Sequence, residues 1–324
     1  MKAGVAGRVA RSVPPDLVYH ADPAALPAST LGAVLYGSDA QACCQGLGDP
    51  RLVPVAIDAV DPRTRVEAWL TNGPVHHGEC DGVRYAASAE HLFGVIEVDE
   101  ATHGGPRGAG REAYRRLAEF QGRGGHGHVW RIWNFIDAIN EGEGDDERYR
   151  QFCVGRAEGI GAADTGYPAA SALGRRDGER ALQVIWIAGS TPPERIENPR
   201  QISAFRYPRQ YGPAAPSFSR AARIGDRLLI SGTASIVGHE SRHGGDVRAQ
   251  TTESLENLGA VAEAAGLDRA RLTGIKAYVR HAGDVEAVAE ELDRRGYAAD
   301  ACCLLLADIC RRDLLVEFEA VGVA

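Results

Sequence analysis

The sequence lacks several features that would assign a class of protein at once. It has no run of lysine and arginine, and its formal net charge is −8. A nucleic acid or an anionic membrane would need a basic surface, so neither is an expected partner. Arg8, Arg11 and Asp16 interrupt the start of the chain where a signal peptide would be apolar, and no later stretch is apolar enough to span a bilayer. We expect a cytoplasmic protein that acts on a small molecule.

Motifs for cofactors and for common nucleophiles are also missing. The chain contains neither a Walker-type phosphate loop nor a dinucleotide fingerprint, and no Gly-x-Ser-x-Gly elbow. His76-His77 and the pair His126 and His128 have no further ligands at the spacing of metal sites. The seven cysteines are odd in number, which favours reduced thiols over a disulfide framework. We therefore expect no cofactor and no metal.

The sequence is long enough to form two domains. At 324 residues, with 44% hydrophobic and 25% charged residues, the sequence has an ordinary globular composition and exceeds the usual size of a single core. The segment 190–217 is dense in proline and has no helical or strand period, so it is predicted to be a linker. The predicted organisation is an irregular leader packed on the first domain (1–60), a first domain (61–190), a linker contributing to the site (191–216) and a second, catalytic domain (217–324).

Both halves have the same order of predicted elements. After the linker, the periodicities predict strands at 220–224 and 227–233, a helix, a strand at 272–280, a second helix, and strands at 301–308 and 313–321. The first half repeats this ββαβαββ order less regularly. The fold class is therefore predicted to be α+β, with two similar domains whose mixed sheets carry helices on one face.

The last predicted strand carries the leading catalytic candidate. Its two-residue period places Glu317 and Glu319 on one face, opposite Val316 and Phe318. A glutamate packed among apolar groups has a raised pKa and can deliver a proton at neutral pH, so Glu317 is predicted to be a general acid. A solvated outer strand face is the alternative. Cys310 is predicted to face the same pocket, because the last two strands are expected to form a hairpin.

Cationic and phenolic side chains come from the other parts of the chain. Helical spacing aligns Tyr149, Cys153 and Arg156 on one inward face, where a guanidinium requires an anionic partner, either a protein carboxylate or a bound one. In the linker, Arg209 and Tyr211 stand in a stretch stiffened by proline, which suits carboxylate recognition or interdomain packing.

These segments carry a family resemblance. Residues 217–322 resemble the Rid (YjgF-like) fold through Ile-Ser-Gly at 230–232, Glu-Ala-Ala-Gly-Leu at 263–267 and the closing strand. Imine-deaminating members have an arginine where this chain has Cys302. The whole chain is similar to the chorismatases of secondary metabolism, through the blocks 133–140, 147–156, 206–220 and 231–239. The expected fold is thus YjgF/chorismate-mutase-like in both domains.

The resemblance to chorismatases implies a substrate, a reaction and roles for residues. Chorismate would be converted with release of pyruvate and without a cofactor. Glu317 would protonate the enolpyruvyl methylene, and Glu319 would help to stabilise the resulting cation. The carboxylates of the substrate would be bound by Tyr149, Arg156, Arg209 and Tyr211.

Two product branches exist in this family. A cysteine at position 310 resembles the branch that forms 3-hydroxybenzoate, since the thiol would fill space otherwise open to water, and Ala234 would line the same pocket. The alternative is a chorismate hydrolase that forms 3,4-dihydroxycyclohexa-1,5-diene carboxylate. A noncatalytic Rid-like module that binds a carboxylate is a second alternative. The sequence leaves open whether the protein is a monomer or a trimer.

Overall fold

Three large β-sheets organise the part of the chain that the structure, a computed structural model, describes, which is residues 14–161 and 166–323. One sheet has four strands and two have seven strands each. Within the described residues, no helix is both long enough and apolar enough to cross a membrane.

An N-terminal unit forms the four-stranded sheet, with the strand order β1-β5-β2-β3. Residues 16–59 thus differ from the predicted irregular leader. Strand β2 is buried along its whole length, so its sequence shows no alternation that would mark it as a strand. The elements of the unit are β1 (Asp16–His20), β2 (Thr30–Tyr36), α1 (Ala40–Leu47), β3 (Leu52–Val55), β4 (Asp58–Ala59) and β5 (Val66–Leu70).

The first domain follows, and it contains the predicted order of strands and helices. A strand at 76–80 and a short helix at 100–103 were not predicted. Its elements are β6 (His76–Cys80), β7 (Val83–Ala87), β8 (His91–Asp99), α2 (Glu100–His103), α3 (Pro106–Gln121), β9 (His128–Asp137), α4 (Arg148–Ile160), β10 (Ala169–Arg175) and β11 (Ala181–Gly189).

The second domain contains the last seven-stranded sheet. The linker before it contributes the short edge strand β12 and single helical turns at 204–206 and 209–211. The elements are β12 (Glu194–Ile196), β13 (Ala221–Ile224), β14 (Arg227–Ala234), β15 (Ile236–Val237), β16 (Glu240–Ser241), α5 (Val247–Ala264), β17 (Leu272–Val279), α6 (Val285–Arg294), β18 (Cys303–Leu306), β19 (Asp308–Ile309) and β20 (Val316–Val323).

The two domains have the same topology, as the sequence predicts. The first domain contains the strand order β10-β9-β11-β8-β7, and the second contains β18-β17-β20-β14-β13. In both orders the third and fourth strands of the ββαβαββ unit pair in parallel, and the last strand lies between the second and third. The predicted α+β class with two similar domains is confirmed.

Strands are also exchanged between the units. Strand β19 leaves the second domain and pairs with β10 of the first, while β4 of the N-terminal unit pairs with β18 at the edge of the second domain. The sheets of the three units share one apolar core, to which the N-terminal unit contributes Trp69, the first domain Trp133 and the second Leu229. This shared core fixes the facing surfaces between which the site lies.

Candidate active site

A cavity of about 460 Å³ lies between the two domains. The first domain supplies its walls from α4 and β10, the linker supplies two tyrosines, and the second domain supplies parts of β14, β20 and the loop after β19. The cavity is therefore built from the segments that the sequence analysis selected.

Glu317 lies at the wall of this cavity on β20, between β14 and β17. It is opposite Ala234 on one side and Tyr278 on the other, and only 4% of its surface is exposed. Gly232 lies at a bulge in β14 and leaves the space that the carboxyl group of Glu317 occupies. A methyl group on Gly232 would overlap a carboxyl oxygen of Glu317. The alternative of a solvated outer face is thus not what the structure has.

Glu319, two residues further on, is held as an ionised carboxylate. Its oxygens lie 2.6 Å from the Arg131 guanidinium and 3.0 Å from the Lys276 ammonium nitrogen. The indole of Trp133 donates a hydrogen bond at 2.9 Å, and the hydroxyl of Tyr278 donates one at 3.2 Å. Burial alone would raise the pKa of Glu319, but these two cations and the hydrogen bonds lower it to about 2.

Glu317 has the opposite protonation behaviour. Burial and, to a smaller extent, the negative charge of Glu319 raise its pKa to about 8, against smaller lowering effects of Arg131, Arg220 and Arg280. The pKa values of the two neighbouring glutamates are therefore shifted in opposite directions, so that Glu317 is protonated and Glu319 is ionised at neutral pH. This is the arrangement expected of a general acid beside a fixed negative charge.

Four arginines that line the cavity form no ion pair among the described residues, and three of them are buried or half-buried, whereas Arg312 is exposed. Arg156, Arg220 and Arg311 donate to backbone carbonyls and hydroxyls, and none of them forms an ion pair in the part of the chain that the structure describes. Each also retains one buried nitrogen without a hydrogen-bond acceptor there. Buried guanidinium groups of this kind require an anion, so the cavity suits a ligand with more than one negative charge.

Tyrosines complete the wall around these arginines. The guanidinium carbon of Arg311 lies 4.0 Å from the ring centre of Tyr211 and 5.1 Å from that of Tyr207. Across the cavity, Tyr149 contributes a phenol whose pKa is raised well above its ordinary value by burial. The Tyr149 hydroxyl therefore remains protonated at neutral pH and is available as a hydrogen-bond donor.

Cys310 and Ala234 form the apolar side of the cavity next to Glu317. Both pack in a small cluster with Ile236, Ile309 and Leu314. Burial raises the pKa of the Cys310 thiol, and the charge of Glu317 raises it further, so the side chain is a neutral thiol and a poor nucleophile.

Two expectations about the site differ from the structure. Arg209 does not line the cavity: it is exposed and forms an ion pair with Asp145 at 2.5 Å, because the helical turn that contains it projects from the linker. The predicted hairpin does not form either, since β17 lies between β18 and β20. Cys310 reaches the cavity because β19 crosses to pair with β10.

Sequence reasoning also missed Arg131, Lys276, Arg220 and Arg311. The first two are charged residues at inward positions of otherwise apolar strands, as in Trp-Arg-Ile-Trp at 130–133, and this anomaly could have identified them. The other two gave no signal, because Arg220 is the first residue of a predicted strand and Arg311 lies between two predicted strands. Among the described residues, no group of three or more His, Cys, Asp or Glu side chains is arranged to hold a metal ion.

The fold and the cavity define a protein of two YjgF-like domains, with a protonated carboxyl group at their junction and arginines that form no ion pair within the described residues. Residues 67–188 match the family described as "Chorismatase FkbO/Hyg5-like, N-terminal", and residues 210–324 match the family described as "Endoribonuclease L-PSP".

Relatives match over most of the chain. A 3-hydroxybenzoate synthase of Streptomyces hygroscopicus is 37% identical over 90% of this chain and 91% of its own length. A chorismatase of Streptomyces rapamycinicus is 40% identical over 79% of this chain and 81% of its own length. A crystal structure of a chorismatase, 30% identical, superposes with a TM-score of 0.81 and covers 95% of this chain and 98% of the other. The chain belongs to the chorismatase family.

Proposed function

We propose that this enzyme converts chorismate into 3-hydroxybenzoate and pyruvate, with Glu317 as the proton donor. The observation that carries the proposal is that one cavity of about 460 Å³ holds both a protonated carboxyl group and three guanidinium groups without an ion pair in the described part of the chain. Chorismate is a dicarboxylate with an acid-labile enol ether, so it requires both features. The name of the Streptomyces hygroscopicus relative supports the choice of product.

The proposed reaction begins with transfer of the Glu317 proton to the methylene carbon of the enolpyruvyl group. The enol ether becomes an oxocarbenium ion, whose positive charge the new Glu317 carboxylate and the adjacent Glu319 stabilise. The ring hydroxyl oxygen then attacks the neighbouring ring carbon and displaces the ether oxygen, so that pyruvate leaves with the electron pair of the broken bond and the hydroxyl proton returns to Glu317. In the resulting epoxide the original carbon–oxygen bond breaks, and the oxygen stays on the carbon that carried the ether. Loss of a ring proton gives the aromatic product, and the atoms balance without water or any other reactant.

Anion binding in this proposal falls to Arg156, Arg220 and Arg311, with Tyr149 and Tyr211 as further donors. A guanidinium group can bind a carboxylate through two parallel hydrogen bonds, which fixes its orientation as well as its position. The ligand would thereby be held with its enol ether beside Glu317.

The proposal is tested by incubating the purified protein with chorismate and identifying the products by mass spectrometry. Equal amounts of pyruvate and 3-hydroxybenzoate are the expected result. Pyruvate together with the dihydroxycyclohexadiene acid would instead assign the hydrolytic branch. Binding of chorismate without any pyruvate would assign a noncatalytic module and contradict the proposal.

The rate is expected to depend on pH through the protonated form of Glu317. Its pKa is about 8, and only the acid form can donate, so kcat/KM for chorismate should fall as the pH rises through about 8. The measurement is a profile of kcat/KM over roughly pH 5 to 10. A rate that rises through the same range would show that the critical group acts as a base.

Replacing Cys310 by alanine is expected to change the product. The smaller side chain opens space beside Glu317 that a water molecule can occupy, so part of the turnover should yield the dihydroxycyclohexadiene acid in place of 3-hydroxybenzoate. The ratio of the two acids is measured by chromatography. Cys44→Ala, which removes a thiol on α1 outside the cavity, is the control and should retain the wild-type ratio. An unchanged ratio in Cys310→Ala would remove the thiol from the control of product choice.

A further inference from the structure

A buried ion pair joins the N-terminal unit to the second domain. The ammonium nitrogen of Lys276 on β17 lies 2.7 Å from the carboxylate of Glu67 on β5, and both side chains are 2% exposed. The hydroxyl of Tyr36 donates to the same carboxylate at 2.6 Å, and the indole of Trp69 donates to it at 3.1 Å. An ion pair with this burial costs much desolvation free energy, so its presence calls for a reason beyond stability.

The pair continues directly into the candidate active site. Lys276 also contacts Glu319 at 3.0 Å, and Glu319 contacts Arg131 of the first domain at 2.6 Å. The chain of contacts Glu67, Lys276, Glu319 and Arg131 therefore crosses all three units and ends beside Glu317. Among the described residues, those that line the cavity begin at Glu147, so the N-terminal unit does not line the cavity and is connected to the site through this chain.

The charges along this chain balance. Two cations, Lys276 and Arg131, face two carboxylates, Glu67 and Glu319. Each cation of the chain is paired with a carboxylate, so the chain carries no excess positive charge that would stabilise an ionised Glu317, and the protonated form is favoured. Removing the charge of Glu67 would leave one cation in excess, and the ionised form of Glu317 would become more favourable.

We propose that Glu67 and Lys276 are positioning residues of the reaction: through Glu319 they keep the proton on Glu317, and the N-terminal unit thus controls the proton donor without touching the substrate. The inference rests on the proposed function for its consequence in turnover, but the protonation of Glu317 can be measured without turnover.

Other charged or titratable groups also face Glu317 and Glu319. They are Arg220 just before β13, Tyr278 on β17, Arg280 just after β17 and Cys310 in the loop after β19. Lys276 forms ion pairs with both Glu67 and Glu319, so a substitution at Glu67 changes the balance through Lys276, and it also acts electrostatically on Tyr278.

The first test is Glu67→Gln, which keeps the shape of the side chain and removes its charge. In the wild type, kcat/KM falls with rising pH as Glu317 loses its proton, and in the variant this fall should occur at a pH lower by roughly one unit. A shift of this order is expected because one buried charge is removed at a distance of two contacts from Glu317. Glu100→Gln is the matched control, because Glu100 is equally buried in an ion pair with Arg148 at 2.8 Å but belongs to a separate network. The control should lose stability without moving the profile.

The second test uses infrared spectra, in which a protonated carboxyl group has its own carbonyl band. In substrate-free protein the band that disappears in Glu317→Gln belongs to Glu317, and it should titrate at lower pH in Glu67→Gln. Lys276→Met should show an additional protonated carboxyl at neutral pH, because one cation is then missing. A wild-type titration of Glu317 in Glu67→Gln, together with no extra band in Lys276→Met, would overturn the inference. An absence of pyruvate in the wild-type assay would refute the proposed function and leave these spectra interpretable.

Discussion

Glu317→Gln is expected to lose turnover of chorismate by a factor on the order of 10² or more while it retains binding, as when a general acid is removed. Glutamine keeps the shape of the side chain but cannot donate the required proton. Steady-state release of pyruvate measures turnover, and calorimetry measures binding of chorismate to the variant. Because the two quantities are separate, a variant that fails to bind is distinguished from one that binds and does not react.

Stability gives this variant an internal control. The folded protein keeps a proton on Glu317 up to a pH of about 8, whereas the unfolded chain releases it near the ordinary value of 4.5. The folded state therefore becomes less stable, relative to the unfolded state, as the pH rises between these two values. Glutamine has no such proton, so the variant should unfold at the same or a higher temperature at neutral pH. Retained turnover would show that a group other than Glu317 supplies the proton.

Arg156→Ala is expected to raise KM for chorismate by a factor on the order of 10 to 10², with a smaller effect on kcat. Arg156 is 4% exposed, and the guanidinium has no carboxylate partner in the described part of the chain, so the substrate is the anion that it would bind. The measurement is the dependence of the initial rate on chorismate concentration.

Arg209→Ala provides the matched comparison. Arg209 is exposed and already paired with Asp145, so its removal should leave KM unchanged. If Arg156→Ala had a normal KM as well, Arg156 would be a structural residue that supports α4 through Ser217 and Tyr114.

The sequence predicted those parts of the molecule that depend on local periodicity. The alternation of β20 places Glu317 and Glu319 on one face, and the helical spacing of α4 places Tyr149 and Arg156 toward the interior. Both patterns hold because one face of each element is buried. The repeated order of elements likewise predicted two domains of the same topology.

What the sequence did not predict depends on contacts between distant segments. The residues next to Arg209 and Arg220 do not indicate which arginine faces the cavity. Only the path of the chain places Arg209 outside the cavity and Arg220 inside it. The path of β19 to β10 joins residues more than 130 positions apart, such as Leu173 and Ile309. Balanced buried charges cannot be recognised either, because each charged residue of such a set looks isolated in its own strand.

The exchange of strands limits how the enzyme can move. Strand β19 of the second domain completes the first domain's sheet, and β4 of the N-terminal unit completes the second domain's sheet. A hinge motion that separated the second domain from the other two units would therefore break main-chain hydrogen bonds at two sheet edges. The cavity arginines and Glu317 are therefore held by a rigid backbone, and the shape of the pocket is fixed before the substrate binds. Such a preorganised pocket spends little of its binding free energy on rearrangement, and side-chain motion at its rim is sufficient to admit the ligand.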